Sequence, residues 1–349
     1  MSDQTVLEVE DVRTEFQTAR GLVRAVDGVS LSLRAGETLG IVGESGSGKS
    51  VLGRTIMGLI TTGHTTQVHG SVRIAGKDVH AISAKERRRL WGSEVAMVFQ
   101  DPMTSLNPVK RVGAHITEAL RLHLGLDKKA AAERAIDLLR QVGIPEPARR
   151  MSQFPHELSG GMRQRVVIAM ALCCDPRLLI ADEPTTALDV TVQKQILDLL
   201  TSLAESRDMA TILISHDLGA VAGRTDRVQV MYAGRVVERS ATGEVFEGPR
   251  HPYTEGLLAS IPRLSDPPHT TLRAIVGSPP NMANPPDGCR FAPRCPYVQD
   301  RCRTEQPELL EIGVRRTSHV AACHFPLPDV DTGSTGDAPP RAALAEEIS

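Results

Sequence analysis

The 349-residue sequence predicts an α/β fold built around a parallel sheet, and three observations carry that reading. Short apolar runs at Thr38-Leu39-Gly40-Ile41-Val42, Leu178-Leu179-Ile180-Ala181 and Thr211-Ile212-Leu213-Ile214 have the length and uniform hydrophobicity of strands covered on both faces. Stretches of helical spacing separate them. A glycine-rich turn follows the first run directly, as in a strand that hands over to a helix.

The elements follow in order. Val6-Leu7-Glu8-Val9-Glu10-Asp11-Val12 alternates with period two, as does Val29-Ser30-Leu31-Ser32-Leu33, and Ala35-Gly36 marks a turn. A helical stretch from Val51 to Leu59 comes after the glycine-rich turn. The basic run from Lys85 to Arg89 reads as a solvated helix face. Between residues 110 and 150 the period changes: Val112, Ile116, Leu120 and Leu124 recur at i+4, then Ala135, Leu138, Leu139 and Val142 at helical spacing. This is a helical insert of two helices separated near Gly125-Leu126-Asp127. After residue 245 the chain turns Pro-rich and irregular. From Pro326 onward it has little apolar content, the composition of a disordered tail. No internal repeat is visible, which excludes a tandem protein.

Composition removes several classes. Forty Lys and Arg face 42 Asp and Glu, net −2, so there is no basic balance of the kind nucleic acid selects. No apolar run reaches the length of a membrane span, and the N-terminus lacks a basic-then-apolar leader. The expectation is a cytoplasmic chain whose membrane role, if any, comes through partners. Six cysteines in such a setting argue against a disulfide framework and towards metal or buried thiols.

Gly43-Glu44-Ser45-Gly46-Ser47-Gly48-Lys49-Ser50 has the spacing of a phosphate-binding P-loop, and the flanking strand and helix supply its context. Glycines let consecutive N–H groups turn inward around phosphate oxygens, and the new helix adds its positive end. Lys49 is expected to reach the β- and γ-phosphates and Ser50 to ligate Mg²⁺. The strand ending at Asp182-Glu183 completes the pattern of a nucleotide hydrolase. Asp182 would hold Mg²⁺ through water, and Glu183 would act as base on the attacking water. An apolar run ending in two acids is common, but its pairing with the P-loop is not.

Many P-loop proteins share these two motifs. Leu158-Ser159-Gly160-Gly161-Met162-Arg163-Gln164-Arg165 resembles the signature motif of ABC ATPases and lies ahead of the Asp182 strand as that family requires. Physically, Ser159, Gly160 and Gly161 open a second helix with bare N–H donors. In the family this end binds the γ-phosphate held by the opposite subunit, so the resemblance implies a nucleotide-sandwiching dimer. Gln100 resembles the Q-loop glutamine that senses Mg²⁺ and the attacking water. Ala187-Leu188-Asp189 resembles the D-loop at the dimer interface, with Asp189 near nucleotide, and His216 the switch histidine at the γ-phosphate. Phe16 lies where the family stacks an aromatic on adenine. The implied fold is an ABC-type P-loop ATPase: a RecA-like parallel-sheet core, an antiparallel β subdomain and a helical insert at about residues 101–165, all within 1–245. A complete catalytic set implies an active ATP hydrolase.

Asp101-Pro102-Met103-Thr104-Ser105-Leu106-Asn107-Pro108, Asp189-Val190-Thr191-Val192-Gln193 and His251-Pro252-Tyr253-Thr254 are similar to the ATP-binding subunits of dipeptide, oligopeptide and nickel importers. The resemblance reaches about residue 325, making 246–325 an importer-type extension. It implies ATP-driven inward transport of short peptides through two separate permease subunits, with residues Gln100 to Val109 transmitting the motion. A second, related but non-identical ATPase chain and an extracytoplasmic binding protein complete the machine, and the chain itself sits at the cytoplasmic face of the membrane. Nickel, haem or another solute is the alternative cargo. A soluble ABC ATPase acting on nucleic acid or ribosomes is disfavoured by the single cassette and the short insert without heptads. A P-loop metabolic kinase has no use for the signature.

Cys289, Cys295, Cys302 and Cys323 are spaced C-x5-C-x6-C-x20-C. Four thiolates suit Zn²⁺ or an iron–sulfur cluster, although the spacing is wider than usual zinc pairs, and buried thiols are the plain alternative. The family resemblance implies a [4Fe–4S] cluster here, its charge offset by Arg290, Arg294, Arg301 and Arg303. Cys173 and Cys174, beside Met170 and Leu172, read as core residues.

Overall fold

The computed structural model describes residues 4–101, 105–186, 188–261, 274–312 and 318–328. Its first layer is an antiparallel sheet in which β1 (Thr5–Thr18) lies between β2 (Gly21–Arg34) and β4 (Thr66–Ile74), with β5 (Lys77–Asp78) at one edge. Leu7 and Val9 are buried and Glu10 is exposed, as the alternation requires. A bulge between Val9 and Val12, with Asp11 at φ 44°, then shifts the phase. The strand therefore continues to Thr18 although its period is legible only to Val12.

With β10 (Arg235–Ala241), β11 (Leu310–Glu311) and β12 (Val320–Ala321) from the later part of the chain, the second sheet has the order β11-β12-β10-β9-β3-β8-β7-β6. The strands β3 (Thr38–Val42), β6 (Val95–Val98), β7 (Leu178–Asp182), β8 (Ala210–Ser215) and β9 (Arg227–Tyr232) are parallel to one another, and β10 pairs antiparallel with β9. Every residue of β7 and β8 is buried, which is why these runs carry no polar alternation. Alternate side chains serve opposite cores. Leu178 and Ile180 pack with the antiparallel sheet and α1 (Lys49–Ile56), whereas Leu179 and Ala181 pack with the helices on the other face.

A short helix, α2 (Ala84–Leu90), carries the basic run with only Leu90 buried. The insert contains α3 (Val112–Leu124) and α4 (Lys128–Gln141). Gly125 ends the first in a left-handed conformation, and the Asp127 carboxylate caps the second by accepting the Ala130 N–H. Of the periodic residues, Val112, Ile116 and Leu120 are buried, whereas Leu124 is 47% exposed at the frayed end. After α5 (Pro147–Arg150), α6 (Gly160–Ala171) and α7 (Val190–Ser206) complete that face.

Beyond β10 (Arg235–Ala241) come α8 (Thr242–Glu247), α9 (Pro252–Ala259), α10 (Asp300–Thr304) and the strands β11 (Leu310–Glu311) and β12 (Val320–Ala321). β12 pairs with β10, so this region joins the main sheet. Glu238 anchors it: the wholly buried carboxylate accepts the Arg250 N–H at 2.6 Å and the His251 N–H at 2.9 Å, and His319 Nε2 at 2.7 Å. Strands of two residues have no period to read. The residues Pro102, Met103, Thr104 and Ala187, and the tail from residue 329, lie outside the described residues.

Candidate functional site

Four loops leave the carboxyl ends of β3, β6, β7 and β8, the edge where parallel α/β sheets bind ligands. They carry residues 43–48, Gln100, Glu183 and His216. At the first, Gly48 has φ 101°, and a Cβ there would lie 2.1 Å from the Ala25 carbonyl oxygen. Only glycine permits the chain to enter α1 at this point. Ser45 and Gly46 form the exposed crown of the loop, while Ser47 and Lys49 are buried. Lys49 Nζ donates to the carbonyls of Gly43 at 2.7 Å and Glu44 at 3.0 Å. Burial pulls its ammonium below the usual lysine range, against the attraction of Glu183, Asp182 and Glu44.

Ser50 Oγ donates to Asp182 Oδ1 at 2.7 Å. The other Asp182 oxygen, Oδ2, is buried and has no hydrogen-bond partner among the described residues. Burial raises the Asp182 carboxyl, opposed by the Ser50 bond and by the nearby Arg54 and Lys49 charges. A hydroxyl oxygen beside a carboxylate with a spare, dry acceptor is the donor chemistry of a hard divalent cation. Ser50 and Asp182 thus fit magnesium.

Glu183 is the hub of the site. Its φ of 46° is a left-handed conformation that costs a non-glycine residue about 1 kcal/mol or more. The backbone is held there by its N–H, which donates to the Ile214 carbonyl at 3.0 Å. Its Oε2 accepts from Gln100 Nε2 at 2.8 Å and Thr186 Oγ1 at 3.1 Å, and lies 3.2 Å from His216 Nδ1. Two other loops and Glu183's own therefore converge on one carboxylate oxygen.

The signature residues form a second group. Ser159 Oγ caps α6 by accepting the Met162 N–H. A Cβ on Gly161 would lie 2.8 Å from Val192 Cγ1, so the small residue lets α6 start close against α7. Asp189 caps α7 by accepting the Val192 N–H at 3.0 Å, and Gly160 lies beside Leu188. Phe16 is half-buried on β1, opposite Val23 and Thr66. Two residues earlier, Thr14 bonds Thr55 of α1.

Three contributors escape a reading of the sequence by motif alone. Thr186 is legible only as a hydroxyl three residues after Glu183. The Tyr253 hydroxyl accepts the Glu44 N–H at 2.7 Å, and Arg294 pairs with the Glu44 side chain. Both come from the C-terminal extension, and nothing in their local sequence points to the P-loop.

The cysteine expectation requires correction. Cys289, Cys295, Cys302 and Cys323 do line one small cavity, of about 20 Å³, with His251, Phe291 and Tyr297. Yet among the described residues no group of three or more His, Cys, Asp or Glu is arranged to hold a metal ion. The iron–sulfur cluster and its zinc alternative are both overturned. Burial raises the Cys289 and Cys295 thiols and pushes Cys323 up to about 11. The arginines are committed elsewhere: Arg290 to Asp27, Arg294 to Glu44 and Arg301 to Glu305. Cys173 and Cys174 are core residues, 2% and 7% exposed.

Comparison with known proteins agrees with the geometry. The family model for the ABC transporter matches residues 26–186, and that for the oligopeptide/dipeptide transporter C-terminal region matches 237–302. The dipeptide transport ATP-binding protein DppD of Escherichia coli (strain K12) is 50% identical over 324 residues, 93% of this chain and 98% of that protein. The oligopeptide transport ATP-binding protein OppD of Bacillus subtilis (strain 168) is 52% identical over 307 residues, 88% of this chain and 86% of that protein. Among solved structures, the dimeric structure of MJ0796, a bacterial ABC transporter cassette, superposes with a TM-score of 0.59 at 27% identity. It covers 66% of this chain and 96% of that one. A post-hydrolysis dimer of the same cassette bound to ADP and Pi gives 0.61 at 26%, covering 68% and 98%. An ABC cassette fold, a matching C-terminal region and half-identical relatives over nearly the whole chain together show that this chain belongs to the ABC transporter family of ATPases, among its dipeptide and oligopeptide transport ATP-binding proteins.

Proposed function

We propose that this chain binds ATP at residues Gly43 to Ser50, hydrolyses it with Glu183 as base, and so energises the inward movement of short peptides through a separate permease. The observation that carries the reading is the convergence of Gln100, Thr186 and His216 on Glu183 Oε2, beside the Ser50–Asp182 pair. Lys49 exchanges its bonds to the loop carbonyls for β- and γ-phosphate oxygens. Glu183 takes the proton of a water whose oxygen bonds the γ-phosphorus as the β–γ bridging P–O bond breaks, and ADP leaves with the bridging oxygen. Gln100 and His216 fix the carboxylate and the water. Ser50 and Asp182 would hold magnesium, with Gln100 the further candidate ligand, and the ion would supply neutralisation of phosphate charge. Phe16 stacks on adenine.

Ser159, Gly160, Gly161 and Asp189 serve the nucleotide of a second cassette, a reading supported by the dimeric structures of related cassettes. The partner we infer is a related, non-identical ATPase chain. Residues 1–245 act as the ATPase domain and 246–325 as the importer-type extension. Among the described residues no helix is long and apolar enough to cross a membrane. Two permease subunits would therefore provide the path, an extracytoplasmic binding protein the cargo, and the cytoplasmic membrane face the location. The names of the relatives, which transport dipeptides or oligopeptides, favour peptide over nickel or haem.

Substituting Glu183→Gln tests the chemistry. Turnover should fall by about 100-fold or more while ATP binding persists and traps a dimer. Turnover near that of the unmodified chain would remove Glu183 from its role. Ser159→Arg should leave nucleotide binding intact and block the ATP-dependent dimer, and a variant that still dimerises contradicts the assignment across the interface.

A further inference from the structure

Arg294 belongs to the C-terminal extension, 250 residues along the chain from the loop that it touches. Its side chain is only 4% exposed. The guanidinium meets the Glu44 carboxylate as a fork, Nη1 to Oε2 at 2.6 Å and Nη2 to Oε1 at 2.9 Å. Its other donors are spent on the Tyr232 hydroxyl at 3.3 Å and the carbonyls of Val276 at 3.1 Å and Ile275 at 3.2 Å. Two parallel charge-assisted bonds fix orientation as well as charge. The Tyr253 hydroxyl holds the Glu44 backbone N–H from the same side. Side chain and backbone of one P-loop residue are thus gripped by elements beyond residue 245.

Glu44 is the only acidic residue between Gly43 and Ser50. Lys49 Nζ donates to the Glu44 backbone carbonyl at 3.0 Å, which places its ammonium beside this residue. An uncompensated carboxylate at this position would repel a polyphosphate and compete with it for Lys49. We infer that Arg294 is a positioning residue for ATP: by locking and neutralising Glu44, it lets the phosphate loop receive a polyphosphate without a facing negative charge. The inference rests on the reading of residues 43–50 as the ATP site.

Equilibrium binding of a fluorescent, non-hydrolysable ATP analogue to the full chain tests it, with melting temperature as a check on folding. Arg294→Ala should weaken binding about tenfold, raising KM while kcat stays within about twofold. Adding Glu44→Gln to Arg294→Ala should restore most of the affinity, because the offending charge is then gone. Arg294→Lys should lose less than Arg294→Ala, keeping the charge without the fork. Unchanged affinity in Arg294→Ala, or a double variant as weak as the single one, would overturn the inference. Should Arg294→Ala not fold, the uncharged but bulkier Arg294→Gln, with and without Glu44→Gln, decides it: restoration supports the charge role and its absence overturns it. Lys49→Ala separates the two levels. If it weakens binding while Arg294→Ala does not, only this inference fails; if Lys49→Ala binds normally, the ATP-site reading fails with it.

Discussion

The nucleotide edge and the cysteine pocket each gather several chemically able side chains, the first from loops far apart in the chain and the second from residues 289–323, and the physics around them is opposite. At the edge, Asp182 Oδ2 is buried without a partner among the described residues, and Lys49 is held by backbone carbonyls of its own loop. Glu183 sits in a strained backbone conformation with three donors aimed at a single oxygen. Such a site is completed by what it binds. The pocket is lined by the thiols together with Phe291, Tyr297, His251 and prolines, and burial favours the neutral form of Cys289, Cys295 and Cys323. Nearby arginines answer carboxylates elsewhere. Clustering alone does not make a site.

The largest effect should come from the joint between the two regions. Glu238→Ala leaves the Arg250 and His251 N–H groups and His319 without their buried acceptor, and should lower stability by about 4 kcal/mol in denaturant unfolding. A loss below about 1 kcal/mol would mean that the extension is held mainly by other contacts. Next, Lys49→Ala should weaken ATP binding about 100-fold with little change in melting temperature. A variant that melts far lower but binds normally would make Lys49 a structural residue.

His251 gives a pH signature. It is fully buried, and its pKa falls from 6.5 to about 4 because desolvation disfavours the charged ring. The folded chain therefore refuses a proton that the unfolded chain accepts. Its contribution to stability is complete above pH 6.5 and is lost as pH falls towards 4, amounting to about 3 kcal/mol over that window. Replacing His251 with Gln should flatten this part of the stability profile, and an unchanged slope would assign it to other groups. The smallest effect belongs to the pocket: Cys302→Ala should cost about 1 kcal/mol of stability as lost packing. ATP affinity should stay the same, and a loss of nucleotide binding in that variant would give the pocket a role in the site.

Much of this was legible in the sequence, for physical reasons that differ by region. The strands β3, β7 and β8 announce themselves because both faces are buried and their hydrophobicity is unbroken. Gly48, Lys49, Ser50, Asp182 and Glu183 are legible because phosphate and metal chemistry needs those side chains at fixed offsets from strand ends. Gln100 and His216 became meaningful through their order along the chain, and the structure brings both to Glu183. The extension resisted reading. Its β12 has two residues, and its contact to the P-loop runs through Arg294, whose partner lies 250 positions away. The cysteine spacing shows that four thiols come together, but not that aromatic packing surrounds them.

The most direct test of the account is the ATPase rate of the chain assembled with its permease and partner ATPase subunits, titrated with binding protein and short peptides. Stimulation by peptide-loaded binding protein, lost in Glu183→Gln, is the predicted result. A rate indifferent to peptide-loaded binding protein but raised by nickel, haem or RNA would contradict peptide import as the work this ATPase performs.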